Sequence, residues 1–142
     1  MLINSIPQYI QGVKNVKIDL TTTDKKTLYT VPSDADFNAT IVHSILVMNK
    51  SSSASTLSVT FTGDGVDGGS GAVTNQEFLY TTNFTVSALG QTEFLPNTSR
   101  DLILNVGEVV KVQAGHADRI QVIMSIQELS KTRVTTSAIS RI

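Results

Sequence analysis

Apolar and polar residues alternate with a period of two along most of this chain. The alternation is clearest at residues 16–20, 57–62 and 120–127, where Val, Ile, Leu, Met and Phe occupy one set of positions and mostly charged or polar residues the other. Successive side chains of a β-strand point to opposite faces, so each of these segments predicts a strand with one buried face. No segment combines a sustained 3.6-residue period with helix caps.

Turn residues divide the chain into eight or nine short predicted strands at spacings of roughly 8–12 residues. This pattern predicts an all-β fold: a single β-sandwich or jelly-roll-like domain over residues 14–129, with extended arms at 1–13 and 130–142. The predicted core consists of the apolar positions of these strands: Ile18, Leu28, Ile45, Val47, Leu57, Val59, Phe61, Phe78, Leu104, Val110, Val112, Val122 and Met124.

The most apolar predicted strand, residues 39–49, carries apolar side chains on both faces. In a regular strand Ile41, Ile45 and Val47 share one face, and Val42, Leu46 and Met48 share the other. Apolar residues on both faces are typical of a central strand or of a strand at a subunit contact. We therefore predict that Val42, Leu46 and Met48 form an interface between copies of this chain.

The two predicted arms differ in chemistry. Residues 1–13 carry no charged side chain, and their apolar residues Leu2, Ile3, Ile6, Tyr9 and Ile10 are predicted to contact a partner or to extend its sheet. The alternative is that this segment folds back on its own domain. Residues 130–142 carry Lys131, Arg133 and Arg141 and no acidic side chain, so this arm is predicted to bind an acidic protein surface.

Composition narrows the classes of function. Charged residues make up 16% of the chain, against about 25% in ordinary soluble domains, and the formal net charge is −1. We expect neither nucleic acid nor a membrane as a partner, because nothing attracts either electrostatically and no apolar run is long enough to span a bilayer. The N-terminal residues do not resemble a signal peptide. The absence of cysteine excludes disulfides and thiolate metal sites.

The residues capable of chemistry are few and scattered. The chain has two histidines, His43 within an apolar strand and His116 in a turn, and neither has an acidic residue at metal-ligand spacing. The glycine-rich segment Gly63–Gly71 lacks the Gly-Lys-Ser/Thr ending of a phosphate-binding loop, and Asp64 and Asp67 supply too few oxygens for calcium. We predict no enzymatic activity, no cofactor and no metal site.

Several segments resemble small virion structural proteins of tailed bacteriophages. They are Leu-Tyr-Thr-Val-Pro at residues 28–32, the apolar strand ending in Asn-Lys-Ser at 45–51, the alternating strand 57–61, and the Gly-Glu hairpin within 104–114. The resemblance spans about residues 16–129 and implies a β-sandwich or jelly-roll protein of the phage head, tail or fibre.

Within that group, a short chain without a coiled coil most resembles a head decoration or cement protein. The resemblance then implies a homotrimer on the virion surface, made in the host cytoplasm, that binds the major capsid protein or other virion proteins and stabilises the head. The alternatives are a tail, neck or fibre-base component, including one active in host adsorption, and a carbohydrate-binding module. The last is less favoured because the chain has three tyrosines and no tryptophan.

Overall fold

The computed structural model describes residues 9–34, 36–66, 72–95 and 102–130, all of them in strands or the connections between strands. Nine strands follow one another along these residues. They are β1 (Tyr9–Leu20), β2 (Lys26–Thr30), β3 (Phe37–Asn49), β4 (Ser55–Val66), β5 (Ala72–Val86), β6 (Gln91–Phe94), β7 (Leu102–Asn105), β8 (Val109–Ala114) and β9 (Ile120–Ser130). The prediction of an all-β fold is confirmed.

The strands form two antiparallel sheets that pack face to face. The five-stranded sheet has the order β1-β9-β3-β6, with β7 also paired to β3, and the four-stranded sheet has the order β2-β8-β4-β5. The chain repeatedly crosses from one sheet to the other, so that strands adjacent in sequence lie mostly in different sheets. This arrangement of two four-stranded layers, with β6 and β7 sharing one position beside β3, is that of a jelly roll.

The core lies between the sheets and follows the period of two in the sequence. In β9 every second side chain, from Ile120 to Ser130, is buried. Most of the predicted core residues are buried, but Phe78 is 51% exposed, so its assignment to the core is wrong. Its strand β5 is at the edge of the four-stranded sheet, and β6, at the edge of the opposite sheet, has only four residues. Ile18 is half-buried and packs against the core.

A β-bulge in β3 changes which side chains share a face. The register of β3 against β9 shifts between Val42 and Ser44, so the two halves of the strand are out of phase by one residue. Val42 is consequently fully buried in the core with Ile45 and Val47, whereas Leu46 and Met48 lie on the outer face of the sheet. The prediction that Val42 shares an exposed face with those two residues is wrong, because strict alternation fails at a bulge.

Two predicted segment boundaries fall inside strands. Strand β1 begins at Tyr9, within the predicted N-terminal arm, and pairs Tyr9 with Ser130 and Ile10 with Leu129 of β9. Strand β4 continues to Val66 and pairs with β5, so the first residues of the glycine-rich segment belong to a hairpin ladder. The other residues predicted to bind a partner lie outside the described residues: Leu2, Ile3, Ile6, Lys131, Arg133 and Arg141.

Candidate assembly surfaces

The middle of the outer face of the five-stranded sheet is partly apolar. Leu46 of β3 lies opposite Ile123 of β9, and Met48 lies one position further along the same face. All three side chains are half-buried. Beside them a shallow pocket of about 220 Å³ extends to Lys17 and Asp19 on β1. The predicted interface residues Leu46 and Met48 therefore lie on an outer surface, and their contact with another subunit stays a prediction.

One end of the same outer face, which we call the apolar corner, exposes three large aliphatic side chains. Ile10 and Val13 of β1 are 58% and 72% exposed, and Ile103 of β7 is 61% exposed. Val13 and Ile103 lie in one cross-strand row at opposite edges of the sheet. The row runs from Val13 through Gln127 of β9 and Ile41 of β3 to Ile103. Tyr9 and Ser130, the first described residue of β1 and the last of β9, pair at this end of the sheet.

The edge strand β5 is a second surface with exposed apolar side chains. Among the strands that the structure describes, β5 pairs with β4 alone. Phe78 lies opposite Phe61, whose side chain faces the core, while Leu79 lies opposite Thr60 on the outer face. Leu79 is 64% exposed, so β5 exposes a large apolar side chain on each of its two faces.

Four aromatic rings pack against one another between β4, β5 and β6. Tyr80 packs edge-to-face against Phe61 and Phe94, with ring centroids 5.8 and 5.6 Å apart, and Phe84 packs in the same way against Phe94 at 5.2 Å. Edge-to-face packing brings the positive edge of one ring to the negative face of the next. The cluster joins the two sheets on this side, although Tyr80 and Phe84 remain partly exposed.

A polar cluster joins the sheets on the opposite side. Glu128 of β9 is buried, and its carboxylate accepts a hydrogen bond of 2.5 Å from the Tyr29 hydroxyl of β2. The Tyr29 hydroxyl also lies 2.9 Å from the hydroxyl of buried Thr40, and the Lys14 ammonium lies 3.2 Å from the other Glu128 oxygen. Burial, and then the bond to Glu128, raise the pKa of Tyr29 above its usual range. Every member has a partner, so the cluster stabilises the fold without offering a free reactive group.

Sequence reasoning missed this polar cluster, although β9 carried a signal for it. Ile120, Val122, Met124 and Ile126 occupy the inward positions of β9, and Glu128 is the next residue in that series. A carboxylate at an inward position requires partners, since burying an unpaired charge is costly. The identity of those partners depends on the tertiary structure, because Tyr29 and Thr40 lie about a hundred residues away in sequence.

The two histidines are far apart and each has a structural partner. Nε2 of His43 lies 3.0 Å from the Gln127 side-chain oxygen, and Nδ1 of His116 lies 3.1 Å from the Ser55 hydroxyl. Within the described residues, no group of three or more His, Asp or Glu side chains could hold a metal ion. The same residues include no helix long and apolar enough to cross a membrane.

No protein-family model and no curated protein matches this chain. Similar solved structures include the capsid of Helicobacter pylori bacteriophage KHP30, at 14% identity and a TM-score of 0.45 over 86% of this chain and 91% of that chain. A particle of the Macrobrachium rosenbergii extra small virus gives 11% identity, a TM-score of 0.44 and coverages of 91% and 83%. A Bacillus endospore appendage protein gives 14% identity, a TM-score of 0.40 and coverages of 90% and 94%.

Proposed function

We propose that this chain is a non-enzymatic structural protein of a bacteriophage particle and that it binds the outer surface of the head as a decoration protein. The observation that carries the proposal is that three features share one end of the five-stranded sheet. Tyr9, which follows residues 1–8 in the sequence, pairs with Ser130, which precedes residues 131–142, at the end of the sheet that exposes Ile10, Val13 and Ile103. Exposed apolar clusters of this kind are typical of binding surfaces.

Each feature of the corner has a distinct part in the proposed binding. The apolar corner loses water on contact and supplies hydrophobic stabilisation. The uncharged arm, residues 1–8, lies in a groove or extends a sheet edge of the capsid protein. The basic arm, with Lys131, Arg133 and Arg141, forms charge-assisted hydrogen bonds with capsid carboxylates. A homo-oligomer that presents several such corners gains avidity by roughly 10²–10⁴ over a single site.

The copy number in purified particles tests the location. Quantitative mass spectrometry of virions should find hundreds of copies if the protein decorates the head, because a capsid repeats its surface many times. A dozen copies or fewer would indicate a ring of cyclic symmetry and hence the tail, neck or fibre-base alternative. Absence from purified particles would contradict a virion role.

A matched pair of substitutions tests the corner. Val13→Asp places a charge in the apolar corner and should weaken binding to isolated heads at least about tenfold, since a charge in an apolar contact is poorly solvated. Leu89→Asp is the control, because Leu89 is also 72% exposed but lies in the turn before β6, at the other end of the sandwich. Equal binding by the two variants would contradict the proposal.

Deletions test the arms separately. Because β1 begins at Tyr9 and β9 ends at Ser130, the deletions should remove residues 1–8 or 131–142 and leave both strands intact. We expect each deletion to reduce head binding while the circular dichroism spectrum stays unchanged. If both truncated proteins bind like the full chain, the sandwich surface alone makes the contact.

A carbohydrate-binding role has less support from the geometry. A polar pocket of about 270 Å³ lies beside β4 and β8, lined by Thr23, Ser58, Asn83, Gln113, Ala114 and Gly115. It contains no aromatic side chain on which a sugar ring could stack. A glycan array with no binding would agree with this interpretation.

A further inference from the structure

We propose that β5 is the strand through which two copies of this chain pair, edge to edge, so that their four-stranded sheets join into one continuous sheet across a two-fold axis. The inference rests on the chemistry of this edge alone and is independent of any role in a virus particle. It also differs from the predicted trimer, which would use the face of Leu46 and Met48.

From Gln76 to Leu79, strand β5 carries little of the protection that exposed sheet edges usually have, and the register shifts of its ladder to β4 lie outside these residues. Proteins block edge pairing with charged residues, especially Lys, with Pro, with β-bulges or with very short strands. Strand β5 has 15 residues, and between Gln76 and Thr92 the only charged residue is Glu77, with no Lys and no Pro. The Glu77 carboxylate is already held by Lys25 of the same chain at 2.9 Å.

The other described edges are protected. Strand β1 places Lys14, Lys17 and Asp19 along its length. Strand β2 has five residues and begins with Lys26, and β6 and β7 have four residues each. Among these edges β5 is therefore the one that is both long and nearly uncharged.

Exposure on both faces of β5 favours strand addition over docking of a flat surface. Phe78 is exposed on the face that continues the core and Leu79 on the outer face. A protein lying against the outer face would cover Leu79 but leave Phe78 in water. An added strand places side chains beside both residues at once, because cross-strand neighbours lie about 5 Å apart on each face.

A second copy of β5 is the partner with matching chemistry. Residues Gln76–Leu79 pair one to one with Thr60–Gly63, without a bulge, so their outward backbone groups keep the spacing of an antiparallel ladder. A two-fold axis near Phe78 brings Phe78, Leu79 and Tyr80 of both copies together. Glu77 meets Glu77 only if the axis passes through that residue, so in every other register the strand pairs with itself without charge repulsion.

The expected contact is modest in size. Each of the three side chains per copy is 39% to 64% exposed, which leaves on the order of 100 Å² for an aromatic ring to bury. Together with the backbone ladder, the total surface area buried in the dimer should be near the low end of the range for specific interfaces, about 1,200 Å². We therefore expect a dissociation constant in the micromolar range.

Sedimentation analysis of the full chain from about 1 μM to about 1 mM tests the pairing. The native chain should show a monomer–dimer equilibrium. Leu79→Lys, which introduces a charge at the proposed seam, should raise the dissociation constant at least about tenfold. Leu89→Lys is the control, because Leu89 is 72% exposed in the turn after β5 and should leave the equilibrium unchanged.

Hydrogen exchange gives a second readout that distinguishes strand pairing from side-chain contact. Amides of residues 76–80 should become more protected as concentration rises in the native chain and in Leu89→Lys, and should not in Leu79→Lys. A native chain that stays monomeric throughout, or an oligomer unaffected by Leu79→Lys, would overturn the proposal. These measurements do not depend on binding to phage heads. A failure of the proposed function can therefore be distinguished from a failure of the proposed β5 pairing.

Discussion

One cross-strand row of the four-stranded sheet ends in a side chain with hydrogen-bond partners at one edge of the sheet and in an exposed side chain at the other. The row runs through Tyr29, Val110, Phe61 and Phe78 on the inner side of the four-stranded sheet. Tyr29 at the β2 edge is half-buried, and its hydroxyl contacts Glu128 and Thr40 of the opposite sheet. Phe78 at the β5 edge is 51% exposed.

The difference shows how one sandwich can be closed on one side and open on the other. At the β2 edge, partners from β3 and β9 satisfy every polar atom of the cluster, so the chain completes this side by itself. At the β5 edge, the edge strand of the opposite sheet, β6, is short, and an apolar ring stays in contact with water. The closed side therefore stabilises the monomer, and the open side is the one through which we propose that two copies pair.

The largest expected effect on stability comes from truncating Phe61 in the middle of the row, and truncation of Phe78 at its exposed end gives the comparison. Phe61→Ala should lower the free energy of unfolding by roughly 3–5 kcal/mol, because the ring is almost fully buried and a cavity remains. Phe78→Ala should cost less than half as much, since half of that ring already contacts water. Urea denaturation of both monomers measures the difference, and equal losses would mean that the open end is as well packed as the centre.

A second comparison removes one hydroxyl from each side. Tyr29→Phe should lower the free energy of unfolding by about 1–3 kcal/mol, because buried Glu128 and Thr40 lose a hydrogen-bond partner. Tyr80→Phe is the matched control on the aromatic side, where the structure gives its hydroxyl no partner among the described residues, and should change stability by no more than about 0.5 kcal/mol. Thermal or urea unfolding of the pair gives both values.

A third prediction concerns alkaline pH. Burial and the bond to Glu128 raise the pKa of Tyr29 in the folded chain above the unfolded value of about 10. Above that pH the unfolded chain releases this proton while the folded chain retains it, so stability falls as pH rises; below it the contribution is fully present. The native chain should lose stability above about pH 10, and Tyr29→Phe should lose less. Absorbance titration of tyrosinate, with unfolding curves at each pH, checks this, and parallel losses would contradict it.

The smallest expected effect concerns the ion pair at the rim of the polar cluster. Lys14→Met should lower the free energy of unfolding by at most about 1 kcal/mol, because the Lys14 side chain is 52% exposed and its interaction with Glu128 is screened by water. The loss should shrink as salt is added. Lys17→Met is the control, since Lys17 on the same strand forms no ion pair in the described part of the chain. A loss that does not depend on salt would point to packing of the Lys14 stem instead.

Sequence reasoning succeeded where local pattern and tertiary structure agree. The alternation at 57–62 and 120–127 located β4 and β9 and assigned their inward faces correctly, including Phe61, Val122 and Met124. It failed at Val42, where a bulge reverses the alternation. It also failed at Phe78, whose strand has the expected period but is the edge strand of its sheet among the described strands. Neither failure is visible from spacing, because both depend on the strands that lie next to the residue.

The sequence alone determined the all-β class, the positions of most strands and the neutrality of residues 76–92 apart from Glu77, since period, turn residues and charge are local properties. Tertiary structure decided the order of the strands in the two sheets, and with it which strands are edges. It also brought Tyr29 to Glu128 and Tyr9 to Ser130, pairs separated by about a hundred residues or more. Contacts between distant segments arise from sheet pairing and packing of the whole chain, and those contacts closed one edge of the sandwich and left the other exposed.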